Sequence, residues 1–204
     1  PGGFSWANGS RLYYANLTSN VGATRSEQTF KGFEAIAVSR TDDVQAAAAG
    51  VKSAWCVGAA GCAPVIVSKQ SSTTFSDKEQ IWADNAASSD FFGNVYVCFG
   101  NFVGGPSAGS NAVRLTLARS TDGGTVWSKV VVEKNTNSAS GNWGLAAGAT
   151  GCTIRTDSAG TVYLFWHGFN QNTKEEGIFL SRSFDGGATF EPRYFNGKYQ
   201  LYDD

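Results

Sequence analysis

Ser120-Thr121-Asp122-Gly123-Gly124-Thr125-Val126-Trp127 and Ser183-Phe184-Asp185-Gly186-Gly187-Ala188-Thr189-Phe190 follow one pattern, Ser-x-Asp-Gly-Gly-x-x-aromatic, set 63 residues apart. Each copy follows an alternating run ending in arginine: VRLTLAR up to Arg119 and GIFLSR up to Arg182. Adjacent glycines permit the positive backbone dihedrals of a tight hairpin. An aspartate at this place accepts N–H bonds within the turn, and a hydroxyl adds another. The aromatic buries a large apolar area between neighbouring units. The recurring residues Ser120, Asp122, Gly124 and Trp127, with Ser183, Asp185, Gly187 and Phe190, are therefore read as turn staples rather than catalysts. A Ca²⁺ reading fails because one aspartate per turn supplies too few oxygen ligands.

A degraded third copy follows AIAVSR at Thr41-Asp42-Asp43, with Trp55 as its aromatic. Asp and aromatic are 5 residues apart in the good copies and 12 apart here, which implies an insertion through the Ala/Gly stretch. Upstream of the copies lie RLYYANL, NVYVCFG and TVYLFWHG, whose tyrosines Tyr13, Tyr96 and Tyr163 keep step with the turns. Further upstream, IWADNA and IRTDSA align Asp84 with Asp157. PVIVSK, SKVVVEK and FEPRYF follow the turns. Each unit reads as four short strands of alternating apolar and polar residues, with no helix expected. The units are 1–69, 76–134 and 148–195. Four-stranded antiparallel units at this spacing fit the blades of an all-β propeller.

Composition agrees. The chain holds 25 Gly, 6 Trp, 7 Tyr and 14 Phe, and only 16% charged residues, against about 25% in an average soluble protein. Disordered chains are poorer in aromatics and richer in charge. The net charge of −1 gives no electrostatic case for nucleic acid or anionic membranes. No apolar run approaches the roughly 18 residues that a membrane-spanning helix needs. No cofactor and no metal is expected.

The turn pattern resembles the Asp-box, or bacterial neuraminidase repeat, of the sialidase-like propeller superfamily. That resemblance implies three blades of a six- or seven-bladed ring, completed by the rest of a longer chain or by a second copy. It implies a glycan partner and hydrolysis of glycosidic bonds where the member is catalytic. It also puts the turns on the face opposite the site. Arg40, Arg119 and Arg182, which recur before each turn, read as scaffold. Residues that do not recur on the other face are the candidates. Asp77, Glu79, Arg155 and His167 are the catalytic candidates, as carboxylates and cations able to do acid/base work. Arg114 and Trp143 are the substrate-binding candidates, with Arg25, Glu175 and Glu176 in or beside the same loops. The Phe/Tyr-Arg-Ile-Pro motif of catalytic members does not occur in these 204 residues. The alternative functions are a non-catalytic glycan- or protein-binding module and a structural surface protein.

The cysteines number four. Cys56 and Cys62 flank VGAAG, a spacing that suits a local disulfide, with free thiols as the alternative. Cys98 and Cys152 lie in strand-like runs and are expected as buried free thiols. An even count favours an oxidising, secreted or cell-surface setting.

Overall fold

The computed structural model describes residues 10–18, 34–55, 64–69, 74–103, 112–133, 150–170 and 175–196. It is all-β in its sheets, which are antiparallel throughout and consistent with propeller-like blades. The first sheet runs β1 (Leu12–Thr18), β2 (Ala35–Thr41) and β3 (Val65–Lys69). The second runs β4 (Thr74–Ala83), β5 (Val95–Val103), β6 (Ala112–Ser120) and β7 (Ser128–Glu133). The third runs β8 (Thr150–Thr156), β9 (Val162–Asn170), β10 (Glu175–Ser183) and β11 (Tyr194–Asn196). Four strands were expected in each unit, but the first sheet has three among the described residues.

Side chains alternate along a strand, so a strand covered on both faces sends every second residue each way. In β5, Val97 and Phe99 pack with Ile36, Val38 and Val67 of the first sheet, beside Trp127. Tyr96 and Cys98 point the other way, to Cys152, Ile154, Leu164, Trp166 and Phe179 of the third sheet, beside Phe190. The middle sheet is thus sandwiched, which explains its unbroken apolar run. Burial pushes the Tyr96 hydroxyl up to about 12.

Cys98 and Cys152 form a disulfide across this second interface, with a Cα–Cα distance of 6.2 Å. The expectation of free thiols is corrected. A strand-like run reveals burial but not which residue on another sheet lies opposite. Cys56 and Cys62 lie outside the described residues.

Side-chain hydrogen bonds close the Asp-Gly-Gly turns. Asp185 Oδ1 accepts N–H bonds from Ala188 and Thr189, both at 2.9 Å, and a hydroxyl bond from Ser183 at 2.8 Å. Its Oδ2 accepts from the Thr189 hydroxyl at 2.6 Å. Burial alone would raise this carboxyl, but the Thr189, Ser183 and Ala188 bonds outweigh it and hold it at about 2, below the ordinary 3.8. The unfolded chain therefore takes up the proton first. The stabilisation is complete above the unfolded value and is lost as pH falls towards 2. Urea unfolding between pH 2 and 6 should show an acid-side loss that shrinks in Asp185→Asn.

The absence of a helix is also corrected. The degraded copy runs into α1 (Val44–Ala48), followed by a 3-10 turn, Lys52–Trp55, that carries Trp55. Thr41 Oγ1 accepts the Asp43 N–H at 3.1 Å, and Asp43 Oδ1 accepts the Ala46 N–H at 2.9 Å. Asp122 Oδ1 makes the matching bond to the Thr125 N–H at 2.9 Å. The same aspartate that closes a hairpin thus becomes a helix N-cap. Val44-Gln45 replaces Gly-Gly there, so the chain stays right-handed instead of entering the left-handed region.

Each turn is gripped by the preceding sheet. Arg40 Nη1 donates to the Gly123 carbonyl at 2.6 Å and to Thr125 Oγ1 at 2.8 Å. Arg119 Nη1 donates to the Gly186 carbonyl at 3.1 Å. Tyr13, cross-strand partner of Arg40, lies under Gly124, and Tyr96, partner of Arg119, lies under Gly187. A Cβ on Gly187, at φ +81, would meet Leu117 at 3.0 Å and Tyr96 at 3.1 Å. Gly187→Ala should cost roughly 2–4 kcal/mol, from strained backbone plus overpacking. Gly50 has a similar φ of +79 but nothing within 4 Å of a Cβ. Gly50→Ala should cost only about 1 kcal/mol. Urea midpoints of the two variants measure the difference.

Candidate functional site

Strands β2 and β6 end at the Thr41 and Asp-Gly-Gly turns, so their first residues lie at the opposite end of the sheets. The start of β4 and the end of β5 join them there through the register Ser76 with Asn101, Asp77 with Gly100 and Asn101 with Arg114. At this end the apolar interface between the first two sheets gives way to polar groups. Glu34, immediately before β2, is 6% exposed. Ser68 and Ser76, both buried, bond hydroxyl to hydroxyl across the interface at 3.0 Å. Asn101 Oδ1 is buried and has no hydrogen-bond partner among the described residues.

Glu34 carries the chemistry of interest. Its carboxyl is held above the ordinary carboxylate range, first by burial and then by the negative charge of Asp77. The two acidic groups are thus within electrostatic reach of each other across the sheet interface. Burial disfavours the charged form, and a nearby like charge disfavours it further.

Asp77 sits in a different environment. Its side chain is 23% exposed and ion-paired with Lys78 Nζ at 3.4 Å, and it accepts the Lys78 N–H at 2.7 Å. The β4–β5 register slips between Asp77 and Gln80. Lys78 adopts φ 60, the one non-glycine residue with positive φ among those described. Such bulges re-aim side chains, and left-handed backbone at a non-glycine residue is strained. The bulge therefore sets the direction of Asp77.

The other sequence candidates spread out. Glu79 lies half-buried on the same bulge. Arg114 is exposed, on β6 opposite Asn101. Arg155 lies over the Trp82 ring at 4.5 Å and donates to the Ile154 carbonyl at 2.6 Å and to Gln80 Oε1 at 3.4 Å, which ties the second and third sheets together. His167 is exposed on β9, opposite Thr150 and Ile178. Glu175 and Glu176 open β10. Trp143 and Arg25 lie outside the described residues. Glu34 was missed. A signal for it exists: an acidic residue directly before AIAVSR, at the start of a third-position strand and away from the turn.

The arrangement pairs a buried, proton-retaining carboxyl with a more exposed, lysine-paired carboxylate. A carboxyl that holds its proton more tightly is suited to give it up to a leaving group, and an open carboxylate within reach is suited to act as base or nucleophile.

No protein-family model matches the chain, and no curated protein matches it. Among solved structures it is similar to a leech intramolecular trans-sialidase complexed with 2,7-anhydro-Neu5Ac, prepared by soaking with 3'-sialyllactose. Sequence identity is 20%, the TM-score is 0.47, and the match covers 79% of this chain and 19% of that one.

Proposed function

We propose that the chain is part of a sialidase-like Asp-box propeller, secreted or displayed at the cell surface, that hydrolyses glycosidic bonds. The observation that carries the reaction class is the Glu34–Asp77 pair. Glycoside hydrolysis needs one carboxylic acid to protonate the leaving oxygen and a second carboxylate to activate water or attack the sugar. Glu34, whose hold on its proton is strengthened by burial and by its neighbour's charge, is the acid. Asp77, held open by the bulge and by Lys78, is the carboxylate. Asn101 Oδ1 is an acceptor suited to a sugar hydroxyl, and exposed Arg114 is a guanidinium suited to a substrate carboxylate.

The three successive sheets, each gripping the next through a Tyr–Arg pair, support reading the units as blades of a six- or seven-bladed ring. Turnover of aryl sialosides and aryl hexosides tests the proposed activity. Release of the aryl group that is lost in Asp77→Asn supports hydrolysis. Binding of the same sugars without release would make the chain a non-catalytic glycan-binding module. Neither binding nor release would leave a structural surface role.

A further inference from the structure

β4 and β8 are each an edge strand of their sheet. An edge strand turns every second backbone N–H away from its own ladder. On β8 the Ile154 N–H is taken up by the second sheet: Gln80 Oε1 accepts it at 2.7 Å. Arg155 Nη1 donates to the same oxygen at 3.4 Å. Both partners are donors, so the amide must present its oxygen here and not its nitrogen. Cys98, the cross-strand partner of Gln80, is bonded to Cys152 of β8. Cys152 Sγ in turn lies 3.8 Å from the Lys78 carbonyl oxygen. Further along the same two strands, Trp82 Nε1 donates to Thr156 Oγ1 at 2.9 Å.

These contacts converge on the bulge. Asp77 pairs with Gly100 and Gln80 with Cys98, so Lys78 and Glu79 together oppose Phe99. Such a bulge carries one extra residue and re-aims the side chains beside it. Strained backbone like that of Lys78, at φ 60, persists only where its surroundings over-determine it. On one side the ladder fixes the bulge through Asp77 with Gly100 and Ser76 with Asn101. On the other side the first residue back in register is Gln80, and β8 holds its side chain. We infer that Gln80 is a positioning residue, whose bond to β8 anchors the far end of the bulge and so sets the direction of the Asp77 carboxylate. Gln80 acts through the backbone of Lys78 and Glu79 and not on the substrate. The Trp82–Thr156 bond joins the same strands beyond the bulge and has no such role. The effect on turnover rests on the reading of Asp77 as the reacting carboxylate. The effect on the Lys78 backbone is independent of that reading.

The test compares Gln80→Met, Gln80→Glu and Thr156→Val in the whole chain. Methionine fills the same space without an acceptor, and glutamate keeps the acceptor. Thr156→Val removes an acceptor from the same interface away from the bulge. Each variant is assayed on aryl sialosides and aryl hexosides, and the backbone scalar couplings of Lys78 are measured by NMR to read its φ. In Gln80→Met, kcat should fall about 10–100-fold with KM changed by no more than about twofold, as for a misplaced reacting group. Lys78 should leave the positive-φ region in the same variant. Gln80→Glu should restore both. Thr156→Val should lower Tm as much as Gln80→Met does, yet leave kcat and the Lys78 couplings as in wild type. Positive φ retained at Lys78 in Gln80→Met overturns the inference. So does a moved Lys78 with unchanged kcat, a loss of kcat shared by Thr156→Val, or a Gln80→Met chain that fails to fold, which would make Gln80 a general fastening. Absence of turnover in wild type overturns the hydrolytic reading alone, and the Lys78 couplings then decide whether Gln80 holds the bulge.

Discussion

Loss of the Cys98–Cys152 bridge should lower the melting temperature by about 8–16 °C. The bond joins β5 to β8 across the interface between the second and third sheets, closing a separation of 54 residues. In the chain-entropy account a loop of this length contributes about 4 kcal/mol. Each kcal/mol moves Tm by about 2–4 °C in a chain of this size. Both cysteines lie in the cluster with Leu117, Ile154 and Leu164. Reduction therefore removes the link while leaving the packing, whereas Cys98→Ala with Cys152→Ala removes both. Calorimetry with and without reductant separates the two contributions. The double variant should melt lowest, and any reductant effect that survives in it belongs to Cys56 and Cys62. Equal melting of reduced and oxidised wild type would show that the bridge is not formed in solution.

Glu34→Gln should lower glycoside hydrolysis by about 10²–10⁴-fold, the usual range for removing a general acid or base. Stability at pH 7 should hold or rise. The folded carboxyl lies above its unfolded value, so its contribution to stability is complete below the unfolded value and is lost as pH rises through the folded one. Above the folded value the wild type carries the cost of a buried charge within reach of Asp77, and the amide removes it. A catalytic group that costs stability is expected where function and stability conflict. Activity of the wild type should also fall as pH rises through the raised Glu34 value, because the acid must hold its proton. A parallel loss of activity and melting temperature in Glu34→Gln would instead make Glu34 a packing residue.

The recurring parts of the fold were legible because repetition exposes them. The Ser, Asp and Gly of each turn, the preceding arginine and the upstream tyrosine kept one phase along the chain. Their structural roles follow from that phase, and Arg40 and Arg119 do staple sheets. Three features were hidden for one reason: each depends on which residues meet between sheets or on a single missing residue type. The partner of Cys98 is set by sheet packing, which a local run does not encode. The α1 insertion uses the same aspartate bonding as a hairpin and diverges only because the glycine pair is absent. Glu34 and Asp77 come from different units, and their mutual effect arises only when the first two sheets close together. Asp77 was visible as a non-recurring acid, whereas Glu34 was marked only by its place directly before AIAVSR.

The functional reading turns on a Glu34 carboxyl that holds its proton more tightly than an ordinary glutamate, through burial and the charge of Asp77. A ¹³C NMR titration of the Glu34 side-chain carboxyl, in wild type and in Asp77→Asn, tests it directly. The account predicts a midpoint above the ordinary glutamate range in wild type and a partial return towards that range in the variant, since burial persists when the neighbouring charge is removed. A midpoint in the ordinary range, unchanged by Asp77→Asn, would contradict it.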